Sequence, residues 1–223
     1  MNNHSNKLNP NNINDEIDSL INKTKKISIN DDNLNKKYEK EKTKKWIKII
    51  NLENQINFND YKQNDNFEKV ATVLLDDDKK RNTFIKFEPT ISKEKYNEKI
   101  EWLYIFLINN KIVKIGGTRT GLKGRASSYL CGHHTKENGK SGDCSKTNAY
   151  IYNTFYFYLK NGYKIDMYGY KLPINKKIIN ILDKKIEIIC QTFHSYESIF
   201  LEDYKKNYNK YPVLSFNCDP NYK

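Results

Sequence analysis

The chain of 223 residues contains no apolar run approaching the roughly eighteen residues a membrane span needs. Its opening, Met1-Asn-Asn-His-Ser-Asn-Lys, lacks the apolar segment of a signal peptide. A membrane protein is excluded, and a cytoplasmic location is expected. Cysteine is too sparse for a disulfide scaffold: Cys131, Cys144, Cys190 and Cys218 read as reduced thiols. Glycine is missing from the first 115 positions, since all nine glycines fall between Gly116 and Gly169. Backbone freedom is thereby concentrated where a chain approaching a ligand would use it. Arginine is scarcest of the charged residues, with only Arg81, Arg119 and Arg125 among 39 basic positions. A guanidinium that persists amid so much lysine suggests a task for a planar fork, and gripping a phosphate is the usual one.

What is abundant is lysine and asparagine. A net charge of +12 and a pI near 9.3 favour a polyanionic partner, nucleic acid before any other. Residues 1–33 are rich in Asn, Asp and Lys; their one short helical pattern, Ile17, Leu20 and Ile21, buries too little to order them, so a disordered tail is expected. Residues 34–99 read as a helical N-terminal extension. An amphipathic helix is expected over 34–56, through Tyr38, Trp46, Ile47, Ile49, Ile50 and Leu52, and a second over 67–75. Their role is packing, DNA contact or dimer formation.

Residues 100–223 form a denser, more aromatic domain. Residues 103–108 and 112–115 read as paired strands, and 122–130 as a helix entered through Gly121. A helix over 147–160 carries the stripe Tyr152, Phe155, Tyr156 and Leu159, a core face, and ends at Asn161-Gly162. Strands are expected at 165–172 and 186–191, and a last helix, capped by Ser195, runs to Tyr208 before Pro212. This order indicates an α+β fold.

The turn of the first hairpin decides which side chains meet. A two-residue Asn109-Asn110 turn sets Tyr104 opposite Ile115 and sends Lys114 to the other face; a three-residue loop sets Tyr104 against Lys114. The second register leaves Leu103, Ile105, Leu107, Val113 and Ile115 as an aliphatic core face, with Tyr104 and Lys114 facing a cleft. Such a pair is either an ordinary cross-strand contact or a proton-accepting pair, in which the ammonium favours the phenolate.

Tyr104-Ile-Phe, Lys114-Ile115-Gly116 ten residues on, Arg125 on the following helix and a late helix bearing Glu197 together resemble the GIY-YIG endonuclease superfamily. The resemblance spans roughly residues 100–217. It looks closest to small type II restriction endonucleases in which lysine replaces the second motif tyrosine, and it continues through Arg125-Ala-Ser-Ser-Tyr129-Leu-Cys131-Gly, Cys144-Ser-Lys-Thr-Asn148 and Glu197-Ser-Ile-Phe-Leu-Glu202. Trp102-Leu103 stand where the superfamily usually has Gly-Ile, and Gly117 where this branch can carry histidine. The resemblance implies a small three-stranded antiparallel sheet flanked by helices. It further implies that Tyr104 accepts the proton of the attacking water, supported by Lys114, that Arg125 and Tyr129 hold the scissile phosphate, and that Glu197 binds one divalent cation, Mg2+, with Glu202 as the rival carboxylate. Thr118, Arg119, Lys123 and Asn217 are the expected DNA contacts around that centre. The implied partner is double-stranded DNA, cut by a homodimer with one active site per chain and paired with a DNA methyltransferase in the same system.

Two smaller motifs compete. Gly116-Gly117-Thr118-Arg119-Thr120-Gly121 superficially resembles a phosphate cradle but matches neither the Rossmann nor the Walker pattern. Cys131, His133, His134 and Cys144 are four residues of zinc-ligand type, yet their spacing is not that of a standard finger, and buried thiols beside a surface loop are the plainer reading.

Overall fold

A computed structural model describes residues 47–78, 83–134 and 144–216. Over these the chain runs β1 (Glu68–Leu75), β2 (Ile85–Pro89), α1 (Lys93–Asn97), β3 (Trp102–Ile108), β4 (Lys111–Thr118), α2 (Gly121–Leu130), α3 (Lys146–Lys160), β5 (Ile165–Lys171), β6 (Asn175–Ile181), β7 (Lys184–Cys190) and α4 (Phe193–Tyr208). Five strands form one antiparallel sheet in the order β2-β1-β5-β3-β4, and β6 pairs only with β7. The fold class is α+β, but the sheet has five strands where three were expected.

The extra strands correct the helical reading of the N-terminal extension. Residues 67–75 are not a helix: β1 lies between β2 and β5, and its Val70, Ala71 and Val73 are fully buried. A short apolar run fits either period, and the strand partner that resolves it lies almost a hundred positions away. The described part of the expected first helix, 47–56, is also not helical. Its first residues lie against α3, whose side chains satisfy their backbone groups in place of a helical ladder, and further on Gln55 N–H closes a turn on the Leu52 carbonyl (3.0 Å). Lys48 N–H donates to Thr154 Oγ1 (3.0 Å), Ile50 N–H to Tyr158 Oη (2.8 Å), and Tyr158 Oη–H to the Ile50 carbonyl (3.1 Å). Residues 1–46, including the expected tail, lie outside the described residues.

The β3–β4 hairpin combines features of both expected registers. Asn109 and Asn110 both take positive φ (45° and 64°), the geometry of a two-residue type I′ turn, and Ile108 faces Lys111. A bulge then shifts the register between Phe106 and Leu107: Leu107 faces Ile112, whereas Phe106 faces Lys114. One extra residue reverses the face of everything beyond it. Lys114 therefore shares a face with Tyr104, but Tyr104 is opposite Gly116. Val113 moves to Tyr104's face as well.

Neither face of β3 opens to a cleft, which corrects the expected outer position of Tyr104. Trp102, Tyr104, Phe106, Ile108 and Val113 share a buried cluster with Tyr129 of α2 and Ile151, Tyr152 and Phe155 of α3. Leu103, Ile105, Leu107, Ile112 and Ile115 pack with Phe193, Leu201 and Tyr204 of α4 and with Phe58 and Tyr61. A strand sandwiched in this way reads as a continuous apolar run because both faces leave water. The edge of β4 is closed by the C-terminal segment, where Leu214 N–H donates to the Val113 carbonyl (2.8 Å) and Ser215 Oγ bonds both the N–H (3.3 Å) and carbonyl (3.2 Å) of Ile115.

Candidate active site

The turn into α2 requires glycine. Gly121 has φ +79°, and a Cβ there would strike the Glu98 carbonyl, so the chain can swing directly from β4 into a helix at no other residue without strain. Arg125 and Tyr129 then fall one helical turn apart on the face over β3. Arg125 Nε–H donates to Tyr104 Oη (2.8 Å), its Nη2–H donates to Tyr129 Oη (2.8 Å), and the two phenol oxygens lie 2.7 Å apart. The guanidinium also sits 4.3 Å from the Tyr129 ring centre. Each tyrosine is at most 1% exposed.

Burial is the largest influence on both phenols and pushes both pKa values up, that of Tyr129 well above the ordinary 10. The Arg125 charge opposes burial at both. The bond between the phenols separates them, because it lowers Tyr104 and raises Tyr129. Either phenol can donate in this bond, and its opposite effects make Tyr104 the oxygen that bears negative charge more readily. Burial works against the charge of Arg125, but its two phenol partners together outweigh it and push the guanidinium upward, which keeps it cationic.

Glu197 reaches this region from the opposite side of β4. Its Oε2 accepts the Gly117 N–H (3.0 Å), and its charge is felt at Tyr104, whose pKa it raises. The Gly116-Gly117 pair makes both approaches possible. Successive residues face opposite sides of a strand; a Cβ at Gly116 would overlap the Tyr104 hydroxyl, and one at Gly117 would press on Phe193 and Glu197 Oε2. Lys114, only 4% exposed, donates through Nζ to the Leu214 carbonyl (3.2 Å). Glu202 is exposed and accepts the Tyr211 hydroxyl.

Of the expected DNA contacts, Arg119 and Lys123 are exposed. Thr118 is not outward-facing: it is 5% exposed, and its Oγ1 bonds Thr120 Oγ1 (3.1 Å) and Thr120 N–H (3.2 Å), holding the turn. Asn217 lies outside the described residues, as does the loop 135–143 between the zinc candidates; Cys144 is buried and donates to the Ser145 carbonyl. No group of three His, Cys, Asp or Glu suited to a metal ion occurs among the described residues. No described helix is long and apolar enough to cross a membrane.

No protein-family model and no curated relative matches this sequence. Solved structures similar to it include two nucleases. A restriction endonuclease, HPY188I, in complex with product DNA has 24% sequence identity and a TM-score of 0.50, over 79% of this chain and 94% of that one. The chain shares that protein's fold. A point mutant of bacteriophage T4 EndoII aligns at 22% identity and a TM-score of 0.42, over 62% of this chain and 88% of that one.

One residue at the site's edge carried no local signal. The final helix begins at Phe193 with Thr192 at its N-cap, three positions before the expected cap Ser195, and Thr192 makes no side-chain cap bond of its own. The Glu101 carboxylate compensates, accepting Thr192 N–H (2.9 Å) and Oγ1–H (2.9 Å). A negative charge at a helix N-terminus is favourable, but nothing near Thr192 in sequence announces a partner 91 positions earlier. His194, in the first turn, is exposed and its ring lies tilted against that of Phe193, centroids 3.8 Å apart.

The buried phenols set an alkaline limit on stability. Tyr104 and Tyr129 are raised, and Tyr96 is pushed up to about 12, while an unfolded tyrosine ionises near 10. Below pH 10 both states hold the proton and nothing changes. Above it the unfolded chain binds fewer protons, so stability falls as pH rises toward the folded values. Absorbance titration at 295 nm is expected to show these residues ionising together with loss of far-UV circular dichroism; ionisation near pH 10 in a still-folded protein would contradict their burial.

Proposed function

We propose that this chain is a Mg2+-dependent endonuclease that hydrolyses phosphodiester bonds in double-stranded DNA, a site-specific type II restriction enzyme of the GIY-YIG type. The observation that carries the reading is the triangle of Tyr104, Arg125 and Tyr129, with Glu197 close enough to act on Tyr104 electrostatically. A shared fold with a restriction endonuclease solved with product DNA, and a charge of +12, support it.

Chemistry follows from the donors. In its phenolate form, having released its own proton to solvent, Tyr104 takes the proton of the attacking water; donation from Tyr129 and Arg125 to that oxygen opposes the burial that disfavours this form. A guanidinium has five N–H donors and spends two here, so the rest of the fork addresses the non-bridging oxygens of the scissile phosphate. A phosphate that draws Arg125 away from Tyr104 removes a donor from the phenolate and makes it a stronger base when substrate arrives. Glu197, with one of its four lone-pair positions committed to Gly117, fits a Mg2+ that keeps most of its waters; when bound, such an ion supplies charge stabilisation at the leaving oxygen. Cutting both strands makes the active form a homodimer, and a DNA methyltransferase protects the host genome.

Plasmid DNA incubated with the protein and Mg2+ tests the reading. Discrete linear fragments are expected; nicked circles would indicate a nicking nuclease, and a mobility shift without cleavage a binding module. Lys114 has a separate test. Lys114→Met keeps the stem and removes the amine, so cleavage at pH 7 should nearly stop and recover partly as pH rises past the ordinary tyrosine value of about 10 toward the raised value of buried Tyr104. Rate profiles of wild type and variant that run parallel would remove Lys114 from support of the base.

A further inference from the structure

The β6–β7 ribbon belongs to neither core. None of its residues is in either buried cluster among the described residues; Ile179 and Ile188 are half-buried, while Ile178, Ile181, Ile186, Ile189 and, at the turn, Leu182 are between 39% and 89% exposed. An isolated two-stranded ribbon is marginal in water, so a sequence that keeps one this apolar has something to lay it against. Its register puts Lys177, Ile179, Ile181, Lys184, Ile186 and Ile188 on one face, which carries no acid. Glu187 is on the other face, paired with Lys176 at 2.8 Å.

Both feet of the ribbon are tied to one residue beside the candidate active site. Leu172 N–H, after β5, donates to the Glu101 carbonyl (3.0 Å), and Thr192, before α4, donates twice to the Glu101 carboxylate. Glu101 directly precedes the strand that carries Tyr104, and Thr192 directly precedes the helix that carries Glu197.

We infer that the β6–β7 ribbon is an arm that grips duplex DNA beside the active site, its acid-free face seated in a groove; this rests on the nuclease reading above. Dimension and charge choose DNA over a second copy of the chain. Seven-residue strands at about 3.3 Å per residue and about 4.8 Å apart present a face of roughly 200 Å², far below the roughly 800 Å² per partner of a stable interface. A B-DNA major groove about 12 Å wide admits such a ribbon, and thymine methyls give isoleucines an apolar contact. Two lysines and no acid suit phosphates and would repel the same face of a second copy.

Fluorescence anisotropy with a duplex in metal-free buffer, over a salt series, tests this on the full chain. Lys177→Gln with Lys184→Gln is expected to weaken binding about tenfold and reduce the slope of log affinity against log salt by roughly 1.8, about 0.9 per lost phosphate contact. Ile179→Asn with Ile186→Asn should weaken binding with the slope unchanged and with the molar mass by light scattering unchanged. Wild-type affinity and slope in both variants would overturn the inference while leaving the nuclease reading intact. A drop from dimer to monomer in the isoleucine variant, with duplex affinity per chain retained, would also overturn it and make the ribbon an interface between copies. Failure of the wild type to bind any duplex would instead sink the nuclease reading, and the arm with it.

Discussion

Arg125→Ala is expected to lower single-turnover cleavage by at least about a hundredfold, since losing one preorganised charge contact typically removes on the order of 3 kcal/mol of transition-state stabilisation. The loss should exceed what a phosphate contact alone would give, because Arg125 donates to both buried phenols as well. Without it Tyr104 keeps only the Tyr129 bond to offset burial, and its pKa climbs further from neutrality. Arg125→Lys restores the charge but not the fork, so it should rescue little. Binding to duplex should survive in both variants, as most of the net charge is elsewhere. Cleavage near the wild-type rate by Arg125→Ala would take the residue out of the site.

Gly116→Ala should be nearly as damaging, though it removes no functional group. The added methyl would overlap the Tyr104 hydroxyl and ring. Tyr104 cannot retreat, because the rings of Phe106 and Tyr129 stand edge-on to it at 5.5 and 6.3 Å. Overpacking of this kind costs about 1–3 kcal/mol, and whatever relieves it must break the triangle. Gly162→Ala is the control: a Cβ there meets nothing within 4 Å, and φ is +80°, so only about 1–2 kcal/mol of backbone strain is expected, with cleavage unchanged. Thermal melts and cleavage rates of the two variants check the pair. A Gly116→Ala protein that melts and cuts like wild type would show that Tyr104 is not held as described.

The misread elements share one cause. Residues 67–75 have the composition of either a helix or a buried strand, and only pairing with β5, itself read correctly as a strand, decides between them. Ser195 has the chemistry of an N-cap and Thr192 has it equally; the choice fell to Thr192 because the Glu101 carboxylate stands there to receive its N–H and hydroxyl. β6 escaped notice because Ile178 and Ile181 are exposed and only Ile179 is half-buried, so the alternation that marks a half-buried strand says little about a ribbon that belongs to neither core.

The candidate site was legible as a set of residues and not as an arrangement. Arg125 stood out by the scarcity of arginine, and Tyr104, Lys114, Tyr129 and Glu197 through the family resemblance that their order and spacing carry. Their mutual geometry depended on a bulge near Val113 that no residue type there requires, and on the C-terminal segment, whose Leu214 carbonyl takes the Lys114 ammonium from 100 positions away.

By itself the sequence determined what its neighbours along the chain could enforce. Asn109-Asn110 dictated a tight turn, Gly121 a direct entry into α2, and Ser145 a cap that accepts the Asn148 N–H, because each acts within a few bonds of itself. Tertiary structure alone decided the face to which Val113 belongs, the burial of Tyr104, the sharing of Arg125 between two phenols and the approach of Glu197 through the bare backbone of Gly117. Those outcomes depend on contacts between segments roughly 20 to 100 positions apart, and their free energy becomes available only once both faces of the sheet are covered.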